Sequence, residues 1–318
     1  AKTRSGRLVT KVIHSPTDSK PLIAAIEAGG TKFICALARA GGEVLDQTRI
    51  ETRDPASTLS DCAAFFQKHL SEGVHPAAVG IASFGPLNLD TKDKAFGSII
   101  STPKPGWSGV QLLRFFADLC HAPVAIDTDV NAAALAEERI GAAQGCDTFC
   151  YMTVGTGIGV GIVQAGRTLS SPSHGEVGHM RIPRHPDDDF PGVCSYHGDC
   201  AEGLASGPAI AERWGTSAAH LPDDHPAWAF EAYYLAALCN NLIYMFRPER
   251  IIIGGGVMIR EGLLDKVRVA LKEMMAGYAL SAYEQDLSRL IVPPALDIPP
   301  PGLLGAVLLG EQVLETQI

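Results

Sequence analysis

The chain has 318 residues, room for about two domains, and its 46% hydrophobic and 19% charged content is that of a globular protein rather than a disordered one. Twenty-six Lys and Arg against 35 Asp and Glu leave a formal charge of −9, a field that repels nucleic-acid backbones. No apolar run approaches the ~18 residues of a membrane helix, so neither nucleic acid nor membrane is an expected partner.

In chain order, residues 1–20 lack a continuous apolar signal core and read as a flexible, basic lead-in. PLIAAIEAGGTKFICALARAGGEVL (21–45) reads as strand, tight glycine turn, strand, second turn and strand. TLSDCAAFFQKHL (58–70) has helical spacing, and AAVGIASFG (77–85) is an apolar strand ending in a glycine loop. An extended, proline-broken loop follows at 98–107. A helix is expected around 109–120, a strand at 123–129 and an alanine-rich helix at 131–143.

The pattern then restarts. DTFCYMTVGTGIGVGIVQAGRTL (147–169) is again strand, glycine turn, strand and turn, with a Gly–Thr pair at the same place. Such an internal repeat predicts two related α/β halves. A polar, proline-rich excursion (181–193) interrupts the second half. The remainder is mainly helical up to PERIIIGGGVM (248–258), a buried strand running into three glycines, and a short helix closes the chain.

Three strands thus end in glycine turns: EAGGTK (27–32), GTGIG (155–159) and GGGVM (254–258). Glycine lets a ligand approach main-chain N–H groups closely, and such turns form anion-binding concavities. One alone would be a structural turn; three, two of them in repeated units, point to phosphate. Neither a P-loop nor a dinucleotide fingerprint is present, because Gly30-Thr31-Lys32 and the alternating glycines from Gly155 to Gly161 lead into strands rather than helices. Thr31 and Thr156 occupy matching positions in the two repeats.

Asp127 and Asp129 sit where a strand gives way to a helix. Either could be structural, with Asp129 or Asn131 capping the helix. Beside phosphate-binding turns, a carboxylate there is also a candidate base for an attacking hydroxyl.

Turns, repeat and carboxylate together resemble the sugar-kinase branch of the actin–hexokinase superfamily, and within it the ROK family (repressors, open reading frames and kinases). TVGTGIGVGIVQAG…GEVGH and the cysteine cluster after it carry the likeness, which covers residue 22 to about 310. The resemblance implies two duplicated ribonuclease H-like α/β domains with an interdomain cleft. The expected units are 21–128, with a C-terminal helix 303–318 packing back on it, and 129–302, carrying a zinc loop at 179–200.

By the same likeness, Gly29, Gly30, Thr31 and Lys32 match the first phosphate loop, Gly155, Thr156 and Gly157 the second, and Gly254, Gly255 and Gly256 the adenosine loop. Asp129-Val130-Asn131 matches the catalytic step, which selects Asp129 as base over Asp127. Asn131, Glu176, His179 and Glu202 match or adjoin sugar-binding positions, and Gly85 and Asn88 of SFGPLN line the same pocket. Glu27, Thr128 and LDIPPPGLLGA depart from the commoner pattern.

Eight cysteines are present; six have no ligand-like spacing and read as small buried hydrophobes in a reducing, cytoplasmic compartment. Cys194-x2-His197-x2-Cys200, by itself, fits a chance grouping, a redox pair or a metal site. The family carries a metal there, so the resemblance implies a structural zinc held by His179, Cys194, His197 and Cys200. His174 and His185 read as loop histidines.

STPKPGW (101–107) and the cysteine spacing resemble the fructokinase subgroup. The implied activity is ATP- and Mg²⁺-dependent phosphorylation of fructose at its 6-hydroxyl, by a homodimer. The rivals are a kinase for another hexose (glucose, mannose or an N-acetylhexosamine), a non-catalytic sugar sensor, or a repressor. A repressor would need an added helix-turn-helix domain, for which the segment ahead of residue 27 is too short.

Overall fold

The computed structural model describes residues 20–170, 173–278 and 286–316. The lead-in at 1–19 and the last two residues of the expected closing helix lie outside the described residues.

Three antiparallel strands, β1 (Leu22–Ala28), β2 (Lys32–Arg39) and β3 (Glu43–Glu51), begin the first sheet; β4 (Ala78–Ser83) and β5 (Val124–Thr128) join it in parallel. Its order is β3-β2-β1-β4-β5. The second sheet repeats this plan. β6 (Thr148–Val154), β7 (Ile158–Gln164) and β8 (Arg167–Thr168) form the meander, while β9 (Arg250–Gly254) and β10 (Ile291–Val292) add in parallel beside β6. Its order, β10-β9-β6-β7-β8, is the same topology a second time, as the sequence repeat predicts.

Burial follows position in the sheet. All six residues of β4 are buried, because it lies between β1 and β5 with both faces covered. The edge strand β3 alternates exposed and covered positions, as a strand with one wet face does.

Helix α1 (Pro55–Ser71) starts where the Asp54 side chain accepts the Ser57 N–H at 3.0 Å and Pro55 fills the first turn. Helices α2 (Leu112–Cys120) and α3 (Asp129–Ile140) complete the first half. The second adds α4 (Ala201–Ala205), α5 (Gly207–Trp214), α6 (Ala227–Phe246), α7 (Leu263–Met275), α8 (Leu287–Leu290) and α9 (Pro301–Glu315). Several boundaries differ from expectation, among them three helix starts. α2 starts at Leu112 because residues 107–110 form a turn, α3 starts at Asp129 because Thr128 caps it, and α9 starts two residues early on a proline that suits a first turn.

Helices α3 and α9 each follow the last strand of one sheet and pack against the other. α3 lies on β6 and β7, α9 lies on β1, β4 and β5, and the two helices pack on each other. Gly305 of α9 sits directly against the Ala132 carbonyl of α3, a contact that leaves no room for a Cβ. This crossing brings the first turns of α3 and α9 to the seam between the halves. Among the described residues no helix is long and apolar enough to cross a membrane.

Candidate functional site

The first glycine turn joins β1 to β2. The Gly29 N–H donates to the Lys32 carbonyl at 2.9 Å, and a Cβ on Gly29 would lie 2.7 Å from that oxygen, so only glycine fits. Thr52 secures the turn twice: its N–H donates to Thr31 O at 3.0 Å and its hydroxyl to Gly29 O at 2.8 Å. The Lys104 ammonium donates to Gly30 O. Three carbonyls of the turn are thereby held by protein, while Gly30 faces open space and Thr31 is exposed.

The second turn joins β6 to β7. Gly155 N–H donates to Gly157 O at 2.9 Å, and Gly207 N–H donates to Gly155 O at 2.7 Å. Glu202 accepts the Ile158 N–H at 2.9 Å, and a Cβ on Gly157 would stand 2.6 Å from the same carboxylate oxygen. Thr156 is exposed at the tip, as Thr31 is at the first. The third turn lies alongside, since Gly254 pairs with Thr153 and Val257 N–H donates to Val154 O at 3.1 Å. Gly255 has φ +99° and abuts Val154, a backbone state that glycine alone adopts freely.

Asp129 opens α3 at the seam. The helix is capped by Thr128, whose hydroxyl accepts the Asn131 N–H at 3.2 Å, so capping occupies neither Asp129 nor the Asn131 side chain. Burial raises the Asp129 carboxyl to about 7; the Val130 N–H bond at 2.9 Å opposes the rise, while the charges of Glu27 and Glu176 add to it. Those neighbours come from β1 and from the segment after β8, so carboxylates of both halves converge here. Glu27 is also raised, chiefly by burial and against the pull of Lys32, and its Oε2 has no hydrogen-bond partner among the described residues.

Asp127 is the structural carboxylate of the pair. It accepts Asn131 Nδ2 at 2.7 Å, Thr128 N–H at 2.7 Å and the Thr168 hydroxyl at 2.9 Å, although burial still raises its pKa. The bond to Thr168 ties β5 to β8 across the two sheets. Asn131 is buried, with its amide held by Asp127.

Glu176 is exposed, 3.4 Å from His174. His174 is the residue that sequence reasoning missed: its Nε2 accepts the Leu87 N–H at 2.9 Å, joining the 173–177 segment to the Gly85–Asn88 loop. A Cβ on Gly85 would lie 3.1 Å from that ring. Nothing local in SHGEVGH distinguishes this histidine; the contact spans 87 residues. Asn88 has its amide inside its own turn, donating to Asp93 at 2.8 Å and accepting Asp90 N–H at 3.1 Å. In this structure it shapes the loop. A cavity of about 460 Å³ backs onto His174, Gly175 and Val177, with Asp129 outside its walls.

His179, Cys194, His197 and Cys200 bring their ligand atoms within 4.8 Å of one another. His179 Nδ1 is 3.6 Å from Cys194 Sγ and 3.5 Å from Cys200 Sγ, and His197 Nδ1 is 3.6 Å from Cys194 Sγ. A tetrahedral zinc with ~2.3 Å sulfur and ~2.05 Å nitrogen bonds has S···N edges of about 3.5 Å. The spacing fits that ion. Burial, with Cys194 nearby, pushes the Cys200 thiol up to about 11 in the absence of a cation. Cys200 also precedes α4, on which Glu202 sits.

The profile of the ROK family matches residues 23–312. The chain is similar to a fructokinase of Zymomonas mobilis, at 43% identity over 92% of this chain and 97% of that one. It is similar to a fructokinase of Pediococcus pentosaceus, at 39% identity over 92% and 99% of the two. Among solved structures, a ROK hexokinase from Thermus thermophilus matches with a TM-score of 0.72 at 25% identity, covering 93% of this chain and 99% of that one. The match runs along nearly the whole chain, and the chain belongs to the ROK family.

Proposed function

We propose that the chain is an ATP-dependent fructokinase, transferring the γ-phosphoryl group to the 6-hydroxyl of fructose with Asp129 as base. The fructokinases at 39% and 43% identity support the reaction and the sugar. The observation that carries the mechanism is the Asp129 carboxyl, free of capping and brought to about 7 at the seam of the two sheets. A base of that strength is half ionised near neutral pH and takes the hydroxyl proton as the oxygen attacks.

Each sheet, in this reading, is the centre of one domain, with α3 and α9 exchanged between them and the sugar bound in the cleft. Gly29, Gly30, Thr31 and Lys32 face the phosphates from one side; Gly155, Thr156 and Gly157 do so from the other, with Gly254, Gly255 and Gly256 beside the nucleoside. Asn131, Glu176, His179, Glu202 and the Gly85 loop form the sugar wall. Closure of the cleft excludes water, the competing acceptor.

Magnesium takes hard oxygen ligands, and the orphaned Glu27 Oε2 suits it; Glu27 would hold the ion, which would supply charge neutralisation on the phosphates and leave Asp129 to the sugar hydroxyl. Zinc fits the four-residue cluster, where four protein ligands leave no open position, so its part is structural. A homodimer completes the reading, and sedimentation velocity tests it. The activity is tested by ADP release across hexoses: fructose is expected to give the highest kcat/KM, and a preference for glucose, mannose or N-acetylhexosamines would replace the substrate but not the chemistry.

A further inference from the structure

The excursion between His179 and Cys194 is polar and proline-rich, and its sequence offers little that would order it without a metal. It nevertheless carries a buried anchor of its own. Asp188, at the middle of the excursion, is only 8% exposed. Its Oδ2 takes Arg213 of α5 at 2.8 Å and the hydroxyl of Tyr234 of α6, while its Oδ1 accepts Phe190 N–H at 3.0 Å.

The surroundings are built for that contact. The Arg213 guanidinium lies 4.5 Å from the Phe190 ring centre, so the loop covers the cation it binds. His185 N–H donates to Tyr234 Oη at 3.3 Å, and its ring packs 4.7 Å from Phe230 and 4.9 Å from Tyr233. Arg184 bonds Phe190 O and reaches Asp199, next to Cys200, at 3.1 Å. Glu231 of α6 is wholly buried near the same guanidinium, with both carboxyl oxygens unpartnered among the described residues. Burial raises its pKa well above the usual carboxylate range, against the pull of the Arg213 charge.

We propose that Arg213 is a positioning residue: through Asp188 it latches the excursion onto α5 and α6, gathering the cysteine and histidine ligands before a metal arrives. The latch divides the segment between His179 and Cys194 into two shorter loops, which lowers the ordering cost of bringing its ends together. Zinc then holds the Cys194–Cys200 turn against His179, and the latch holds residues 184–190.

The test uses the full-length chain, zinc-loaded and metal-stripped, with Asp188→Asn and the charge-balanced double variant Asp188→Asn/Arg213→Met. Hydrogen exchange on metal-stripped protein is expected to keep residues 184–190 of the wild type more than tenfold slower than in either stripped variant, while 194–200 of the wild type exchange more than tenfold faster than when zinc-loaded. Competition with a chromophoric chelator is expected to show zinc held more than threefold less tightly by both variants. The fructose KM should rise more than threefold, with the ATP KM within twofold.

Protection at 184–190 in stripped wild type no greater than in the stripped variants, or zinc affinity within threefold of wild type in the variants, overturns the latch. This inference rests on the zinc reading of the cluster. A wild-type chain that binds no zinc overturns that reading, an outcome distinct from one in which zinc binds and Asp188 does not matter to it.

Discussion

Glu27 of β1 and Gly302 of α9 fit each other: a Cβ on Gly302 would lie 2.9 Å from Glu27 Oε1 and 3.0 Å from its carboxyl carbon. The missing side chain leaves room for the full length of the glutamate. It also makes the closing helix a wall of the site. Gly302→Ala should therefore push the Glu27 carboxylate off its position and lower kcat about tenfold, roughly 1.4 kcal/mol of barrier. Adding Glu27→Asp should restore most of the loss by withdrawing the carboxylate one methylene. Steady-state kinetics on the single and double variants check this, and an unchanged kcat for Gly302→Ala would separate α9 from the chemistry.

Asp129→Asn should keep fructose and ATP binding while kcat falls by about two to four decades, the range for losing a positioned base. In the wild type, kcat should rise with pH through about 7, because only the ionised carboxylate accepts the proton. The same shift sets a stability trend. Between pH ~4 and about 7 the folded chain retains a proton at Asp129 that the unfolded chain has released, so stability falls as pH rises across that window. The Asn variant should then melt above wild type at pH 8, with the gap closing toward pH 5. A variant no more stable than wild type at pH 8 would show that the charge carries no folding cost.

Much of this arrangement can be read from local sequence. The repeated Gly–Thr turns at 30–31 and 155–156 predict two like sheets, because each follows an apolar strand and precedes another with matching spacing. The cysteine cluster announces itself for a similar reason, with three ligands inside seven residues. What local sequence conceals is side-chain competition and distant contact. Thr128 rather than Asp129 caps α3, a choice decided by which oxygen meets the Asn131 N–H. The Asn88 amide turns into its own loop. The Asp188–Arg213 pair joins residues 25 apart through an irregular segment that has no periodicity to reveal a buried side.

Stripping the metal should raise the fructose KM about tenfold and the ATP KM less. In the proposed reading His179 serves both the cluster and the sugar wall, and Cys200 precedes the short helix carrying Glu202. The nucleotide side also moves somewhat, since Glu202 accepts the Ile158 N–H of the second turn. Kinetics before and after dialysis against a chelator, with zinc added back, measure both constants. Equal loss of the two, or none, would refute a selective role for the cluster at the sugar wall.

His174→Ala should loosen the sugar wall from the opposite direction. Its ring accepts the Leu87 N–H and stands against Gly85, so one imidazole links the loop after β4 to the segment bearing Glu176. The ring is almost wholly buried, with its side chain 6% exposed, and the alanine variant leaves the Leu87 N–H without its acceptor. An unsatisfied buried donor costs about 1–3 kcal/mol, and part of that should appear as a fructose KM raised several-fold with kcat within about threefold. His174→Asn offers a side-chain oxygen as an alternative acceptor and should recover part of the affinity, which a purely steric role for the ring would not allow. Measuring the fructose KM for both variants distinguishes the two: equal defects would assign His174 to packing, and a smaller defect in the asparagine variant would assign it to the hydrogen bond that closes the wall.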